Sequence, residues 1–344
     1  MKINLFKTDK LEQQQNFIKE KLQLPSEVAL QLAYDSTHGL NELTRSLAQL
    51  HPHKKSLAVL GAQPPDLQRL ISGFAADGFL IQELPVSFSN PDPLALETAF
   101  GKLKKDTLFI LGSFLEPLTG VYYPFDFVRL HAPQRNMFSV IYFSPDSLSL
   151  GMPVPQNSWE GFVLDPLWNE PHSLSLVLKG ERCQGESLFW GKPQFTDAAV
   201  QSLAKRLEAI SLSANQELPG GDKNKSFVTA FEQRMAKELP VVTRVSDQTP
   251  RLFNRAVLFV EGVNGDSLSE RLTRLGFFCQ SGASCGWNDP HLNNWLPRMG
   301  FSEEKVQISI IIPLETLETT DFEKVFSNAV HELRNVSNYQ SGLK

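Results

Sequence analysis

The feature that most constrains the fold is an alternation running from residue 56 to residue 144, in which short apolar runs trade places with segments of helical periodicity. SLAVLGA (56–62), FLIQELPV (79–86), DTLFILGSF (106–114) and MFSVIYFS (137–144) read as strands, and 64–77 and 94–103 as helices. Strands that are apolar on both faces must be covered on both. Strand–helix alternation of this kind implies right-handed crossovers in a mostly parallel sheet. The first half is expected to be a doubly wound α/β domain. With 344 residues, 41% of them hydrophobic, a chain can bury about 75% of its unfolded surface and needs no disulfide or metal staple.

The texture changes after Gly151. GMPVPQNSWEGFVLDPLWNEPHS reads as an ordered but irregular connection, followed by strands over 174–179 and 186–190. A long helix starts near Phe195, with Val200, Leu203, Leu207 and Ile210 on one stripe, and is read as a linker between domains. LPGGDKNKS (218–226) reads as a polar loop, since no Gly-Lys-Ser/Thr ending makes it a phosphate loop. Beyond it, strands over 255–262 and 306–312 enclose a helix capped at Asp266. The closing helix carries Phe322, Val325, Phe326, Ala329, Val330, Leu333 and Val336 at helical spacing. The expected organisation is a large α/β domain over 1–210 and a small α+β domain over 211–344.

Charge and motifs exclude several functions. The net charge is −5, with Lys and Arg dispersed along the sequence, which gives no footprint for nucleic acid or an anionic membrane. No run approaches the length of a membrane span, and the N-terminus turns polar before a signal-peptide core forms, so a soluble cytoplasmic protein is expected. Three cysteines argue for reduced thiols. No HExxH, GxSxG, CxxC, GxGxxG or Walker motif occurs, and the six-residue spacing of Cys279, Cys285 and His291 is too wide for zinc. His51, His53, Lys54 and Lys55 read as a polar turn, Trp159 and Trp168 as loop anchors, and Trp287 and Trp295 as pocket lining or packing.

One stretch carries a resemblance. FFCQSGASCGWNDPHLNNWLPRMG (277–300), followed by FSEEKVQISI, places Ser281-Gly282-Ala283-Ser284-Cys285, Pro290, Gly300 and Gln307 in order. This resembles the C-terminal part of the class V aminotransferase and cysteine desulfurase family, fold-type-I enzymes that use pyridoxal 5′-phosphate (PLP). There, Ser-Gly-Ser-Ala-Cys on a loop precedes a Pro, a helix ending in Gly and an Arg-containing strand. DTLFILGSFLEPLTGVYYPFDFV (106–128) and LSLVLKGERCQGESLFW (174–190) extend the likeness over roughly 30–336.

The resemblance implies roles for named residues. Lys179 falls at the Schiff-base lysine and Cys285 at the reactive thiol. Ser144 stands at the pyridine-nitrogen carboxylate with Asp146 just after it, and Gln307 at the substrate-binding Arg. The ring-stacking His falls near Pro64 or Pro65, the ring-facing Asn pair near Glu116 and Pro117, and the phosphate loop over Asp35–Leu43. Several pocket residues are thus replaced, each removing a charge-assisted hydrogen bond of about 1.5–3 kcal/mol. The chain also starts late against the family's N-terminal segment. The resemblance therefore implies a homodimeric PLP-transferase-like protein with an eroded PLP site and a binding or scaffold role. Its alternative is an active desulfurase or lyase with Lys179 as Schiff base and Cys285 as nucleophile. Read without the resemblance, Lys179 is a surface lysine at a strand end and Cys285 a small residue packing a loop; Cys183 and Cys279 read as structural.

Overall fold

The computed structural model describes residues 6–61, 63–86, 93–115, 120–148, 154–165, 174–184, 195–214, 221–244, 251–282 and 302–341. The chain divides into two compact units. One comprises 1–84, 97–115 and 123–219, the other 85–96, 116–122 and 220–344.

The first unit is built on a seven-stranded sheet of β1 (Ala29–Ala33), β2 (Ser56–Leu60), β3 (Leu80–Leu84), β4 (Thr107–Ser113), β5 (Phe138–Phe143), β6 (Glu160–Leu164) and β7 (Ser175–Lys179). The spatial order is β1-β7-β6-β5-β4-β2-β3. Strands β3, β2, β4, β5 and β6 pair in parallel. β7 runs antiparallel to both β6 and β1. Six strands therefore end at one edge of the sheet, and β7 begins there.

The apolar runs bury on both faces, as alternation of side chains along a strand requires. On one face Leu32, Ile141, Phe143, Phe162, Leu164, Leu176 and Leu178 meet Ile18 of α1 (Phe6–Lys21) and Val200, Leu203 and Leu207 of α7 (Asp197–Ala214). On the other, Val59, Phe109, Val140, Val163 and Val177 meet Leu40, Leu43 and Leu47 of α2 (Ser36–Leu50) and Leu67, Leu70 and Phe74 of α3 (Pro65–Ala76). Close approach of α2 depends on glycine: a Cβ at Gly39 would stand 3.0 Å from Val177 Cγ2, and one at Gly161 2.7 Å from Leu43 Cδ2. Shorter helices α4 (Pro93–Gly101), α5 (Phe125–His131) and α6 (Pro145–Leu148) complete the connections.

The second unit holds an antiparallel sheet, β10-β11-β9-β8, made of β8 (Val242–Arg244), β9 (Arg255–Val260), β10 (Gln280–Ser281) and β11 (Ser309–Pro313). Its helices are α8 (Gly221–Glu238), α9 (Gly265–Arg274), α10 (Glu303–Gln307), α11 (Leu314–Leu317) and α12 (Phe322–Ser341). Val228, Phe231 and Met235 of α8, Leu268 and Leu272 of α9 and Phe322, Phe326 and Val330 of α12 close one core with β9 and β11.

Several local readings change. The polar loop expected over 218–226 becomes helix from Gly221, because Val228, Phe231 and Met235, spaced three and four apart, bury a stripe that a polar first turn conceals. The irregular connection after Gly151 contains a fully buried strand, β6. The helix from Phe195, expected as a linker, packs its apolar stripe into the core of the first unit. The strand expected from Val306 starts at Ser309, so Gln307 closes helix α10 and is exposed.

Candidate functional site

In open α/β sheets, ligand sites form outside the carboxyl ends of the strands, where loops and helix N-termini converge. The side chains at that edge come directly from the topology. After β1, Asp35 caps α2: its side chain accepts a 2.6 Å hydrogen bond from His38 N. Tyr34 packs edge-on against His38 and Phe195, with ring centroids 5.4 and 5.1 Å apart.

After β2, Gly61 turns the chain with φ +62°, and a Cβ there would strike the Tyr123 ring at 2.5 Å. The next described residue, Gln63, is buried. Its Oε1 accepts from Ser113 N at 2.7 Å and its Nε2 donates to Leu60 O, so its amide ties the ends of β2 and β4 together. Gln68 Nε2 donates to Gln63 O at 2.6 Å. Pro64 sits at the N-cap of α3. After β4, Ser113 Oγ donates to Leu115 O.

After β5, Ser144 is buried and opens α6. Ser147 N and Ser147 Oγ both point back to it, with the two hydroxyl oxygens 3.0 Å apart. Asp146 lies within α6. After β6, Asp165 is buried on the strand next to Ser144, and its Oδ2 accepts from Tyr142 Oη at 3.3 Å. Asp165 and Tyr142 were not singled out by sequence. The only sequence signal for Asp165 is its place at the end of an apolar run before a proline.

Lys179 lies elsewhere. It ends β7, pairs in register with Ala29 and Gly161, and so occupies the edge where β1 and β6 begin. Four residues of strand, about 13 Å, separate that edge from the carboxyl ends. The structure does not bring Lys179 together with Ser144, because the antiparallel return of β7 carries a residue at its end to the far side of the sheet. Nor is Lys179 a surface lysine: it is buried, with Nζ donating to Gln31 Oε1 at 2.7 Å. Burial pulls its pKa down, and the nearby carboxylate of Glu42 offsets part of that shift. No lysine stands in the described segments that directly follow the parallel strands.

In the second unit, Cys285 lies outside the described residues. Ser281, at the start of the Ser-Gly-Ala-Ser-Cys stretch, is buried and hydrogen-bonds Asp266 of α9. Gln307 points out from the end of α10 rather than lying on a strand. Cys183 and Cys279 are buried, and burial pushes the Cys279 thiol up to about 12. A buried ion pair joins Arg251 Nη2 to Glu232 Oε2 at 2.5 Å, and Glu232 Oε1 also accepts from Val257 N at 3.0 Å. Among the described residues no cluster has the composition of a metal site, and no helix is long and apolar enough to cross a membrane.

No family model matches the sequence. The fold is shared with solved structures. A NifS-like protein aligns over 98% of this chain and 91% of its own, with a TM-score of 0.70 at 12% identity. A NifS-like protein from Rickettsia africae aligns over 96% and 89%, with a TM-score of 0.71 at 13% identity. The cysteine desulfurase CsdA from Escherichia coli aligns over 98% and 87%, with a TM-score of 0.68 at 14% identity. At such identities the likeness is one of fold: a PLP-transferase-like architecture with a large, mostly parallel sheet and a smaller α+β part.

Proposed function

We propose that the chain uses this fold as a binding or scaffolding unit with an eroded cofactor site, and does not run PLP chemistry at the carboxyl edge of its sheet. The observation that carries this reading is Asp35. A PLP phosphate is a dianion, and a helix N-terminus holds it through free N–H groups and the positive end of the dipole. At α2, where the resemblance puts the phosphate loop, a carboxylate already caps the helix and takes the N–H of His38. A second negative charge there would be repelled and would find that donor occupied.

Two further features agree. The residue after β5 is a neutral serine that spends its hydroxyl on capping α6, so it offers no carboxylate to a pyridinium nitrogen. Pro64 and Pro65, where the resemblance puts the ring-stacking group, start α3, and Gln63 just before them is committed to the backbone of β2 and β4. When bound, PLP supplies an electron sink, which needs an amine to hold it and an acid to keep its ring protonated. Among the described residues that follow the parallel strands, Asp35 and Asp165 supply carboxylates but no lysine supplies the amine.

The test is direct. Purified protein incubated with PLP, reduced with borohydride and digested should yield no stoichiometric PLP adduct on a single lysine by mass spectrometry, and the unreduced protein should show no new visible absorption band after dialysis. A stoichiometric adduct on one lysine, together with release of sulfide from cysteine, overturns the proposal.

A further inference from the structure

The amino edge of the same sheet has its own character. The loops preceding β2, β4 and β5, three adjacent strands, contribute Lys54, Lys55, Lys102, Lys104, Lys105 and Arg135, set against one carboxylate, Asp106. Dispersed along the sequence, these residues leave no signature. The parallel topology gathers them on one rim of a chain whose net charge is −5.

The rim is built rather than incidental. Lys54 Nζ donates to Thr107 O and Asn136 O, so one ammonium bolts the three loops together. Asp106 is engaged by Ser56 Oγ at 3.0 Å. Arg135 donates to Phe100 O and Leu103 O at the end of α4. At the β3 end of the sheet Asp77 is already paired with Arg45. Lys102, Lys104 and Lys105 remain exposed on this fixed platform, with no salt bridge among the described residues.

We propose that this lysine rim docks an acidic segment of a protein partner. Three adjacent strands span roughly 10 Å, and an extended chain advances about 3.3 Å per residue, so three to five consecutive residues match the rim. The chemistry favours a polypeptide over a nucleic acid. Single-stranded nucleic acid binds by stacking bases on open aromatic faces, whereas here Phe79 and Phe100 are buried and their rings already carry Lys55 and Arg135, at 5.0 and 5.5 Å. The exposed cations are lysines, compact point charges suited to carboxylates without the forked geometry used to read bases. The surface lies on the edge away from the site discussed above, and it stands whether or not that site holds a cofactor.

The probe is a fluorescein-labelled peptide with four consecutive glutamates flanked by Gly and Ser, titrated with the full chain and followed by anisotropy. Binding is expected, weakening as salt rises from low to near-physiological concentration. The triple variant Lys102→Glu/Lys104→Glu/Lys105→Glu should lose about tenfold or more in affinity. Lys205→Glu/Arg206→Glu, a charge reversal on exposed residues of α7, should change it less than about twofold, and circular dichroism melts should show both variants folded. Absence of peptide binding, equal loss in the two variants, or tighter binding of a single-stranded oligonucleotide of equal charge overturns the proposal.

Discussion

A capping carboxylate does two jobs at once: it satisfies a helix N–H and it sets the sign of the charge at the helix start. Asp35 does both for α2. Asp35→Ala should cost about 0.5–2 kcal/mol in urea unfolding, the usual range for a lost cap; no loss would mean that Asp35 does not hold α2. Lys179 tests a different balance. Its amine titrates below the ordinary lysine value because burial disfavours the charged form. Between the folded and unfolded pKa values the unfolded chain holds a proton that the folded chain does not, so stability from this residue rises as pH rises through that window. Comparing wild type with Lys179→Met by urea unfolding between about pH 8 and pH 10 should show a smaller gain with pH in the variant; parallel curves contradict the assignment. Lys179 also shows where sequence reading stops. Its place at the end of an apolar run is legible, but which edge of the sheet it reaches depends on the direction of β7, and that direction shows only in its antiparallel pairing with β6 and with β1, the latter about 150 residues earlier.

Elements read from the sequence when their apolar pattern was strong. β2, β4 and β5 are short runs buried along their whole length, and such runs show in sequence without any tertiary information. α1 escaped notice because FKTDKLEQQQNFIKEK is mostly polar and has no apolar stripe. β6 escaped because its five residues sit between prolines and tryptophans that read as loop. The start of α9 shows how tightly an element can be set. A Cβ at Gly265 would come 2.3 Å from Ser309 O and 3.2 Å from Gln307 O, both backbone atoms that cannot swing aside. Gly265→Ala should therefore destabilise the second unit by about 1–3 kcal/mol, the range for overpacking, seen as a lower denaturant midpoint. An unchanged midpoint would show that α9 can shift away from β11.

At the scale of the whole molecule, charge and connectivity carry what no single stretch reveals. The same parallel sheet that spreads its strand ends over one edge gathers lysines on the other, so a chain of acidic net charge presents a basic rim. Connectivity has a consequence in time. Among the described residues β1 borders the sheet and pairs with β7 alone, and Ala29 finds its partner Lys179 after 150 further residues. At about 5–20 residues per second of synthesis, β1 spends roughly 8–30 s as an unpaired apolar strand while the rest of the sheet is being made. A chain stopped at residue 174, before β7, should sediment as aggregate rather than show a cooperative melt; a soluble, cooperatively melting product would mean that β1 is not needed to finish the sheet. The return strand that carries Lys179 to the far edge is thus also a clock, because the sheet cannot close before it is synthesised.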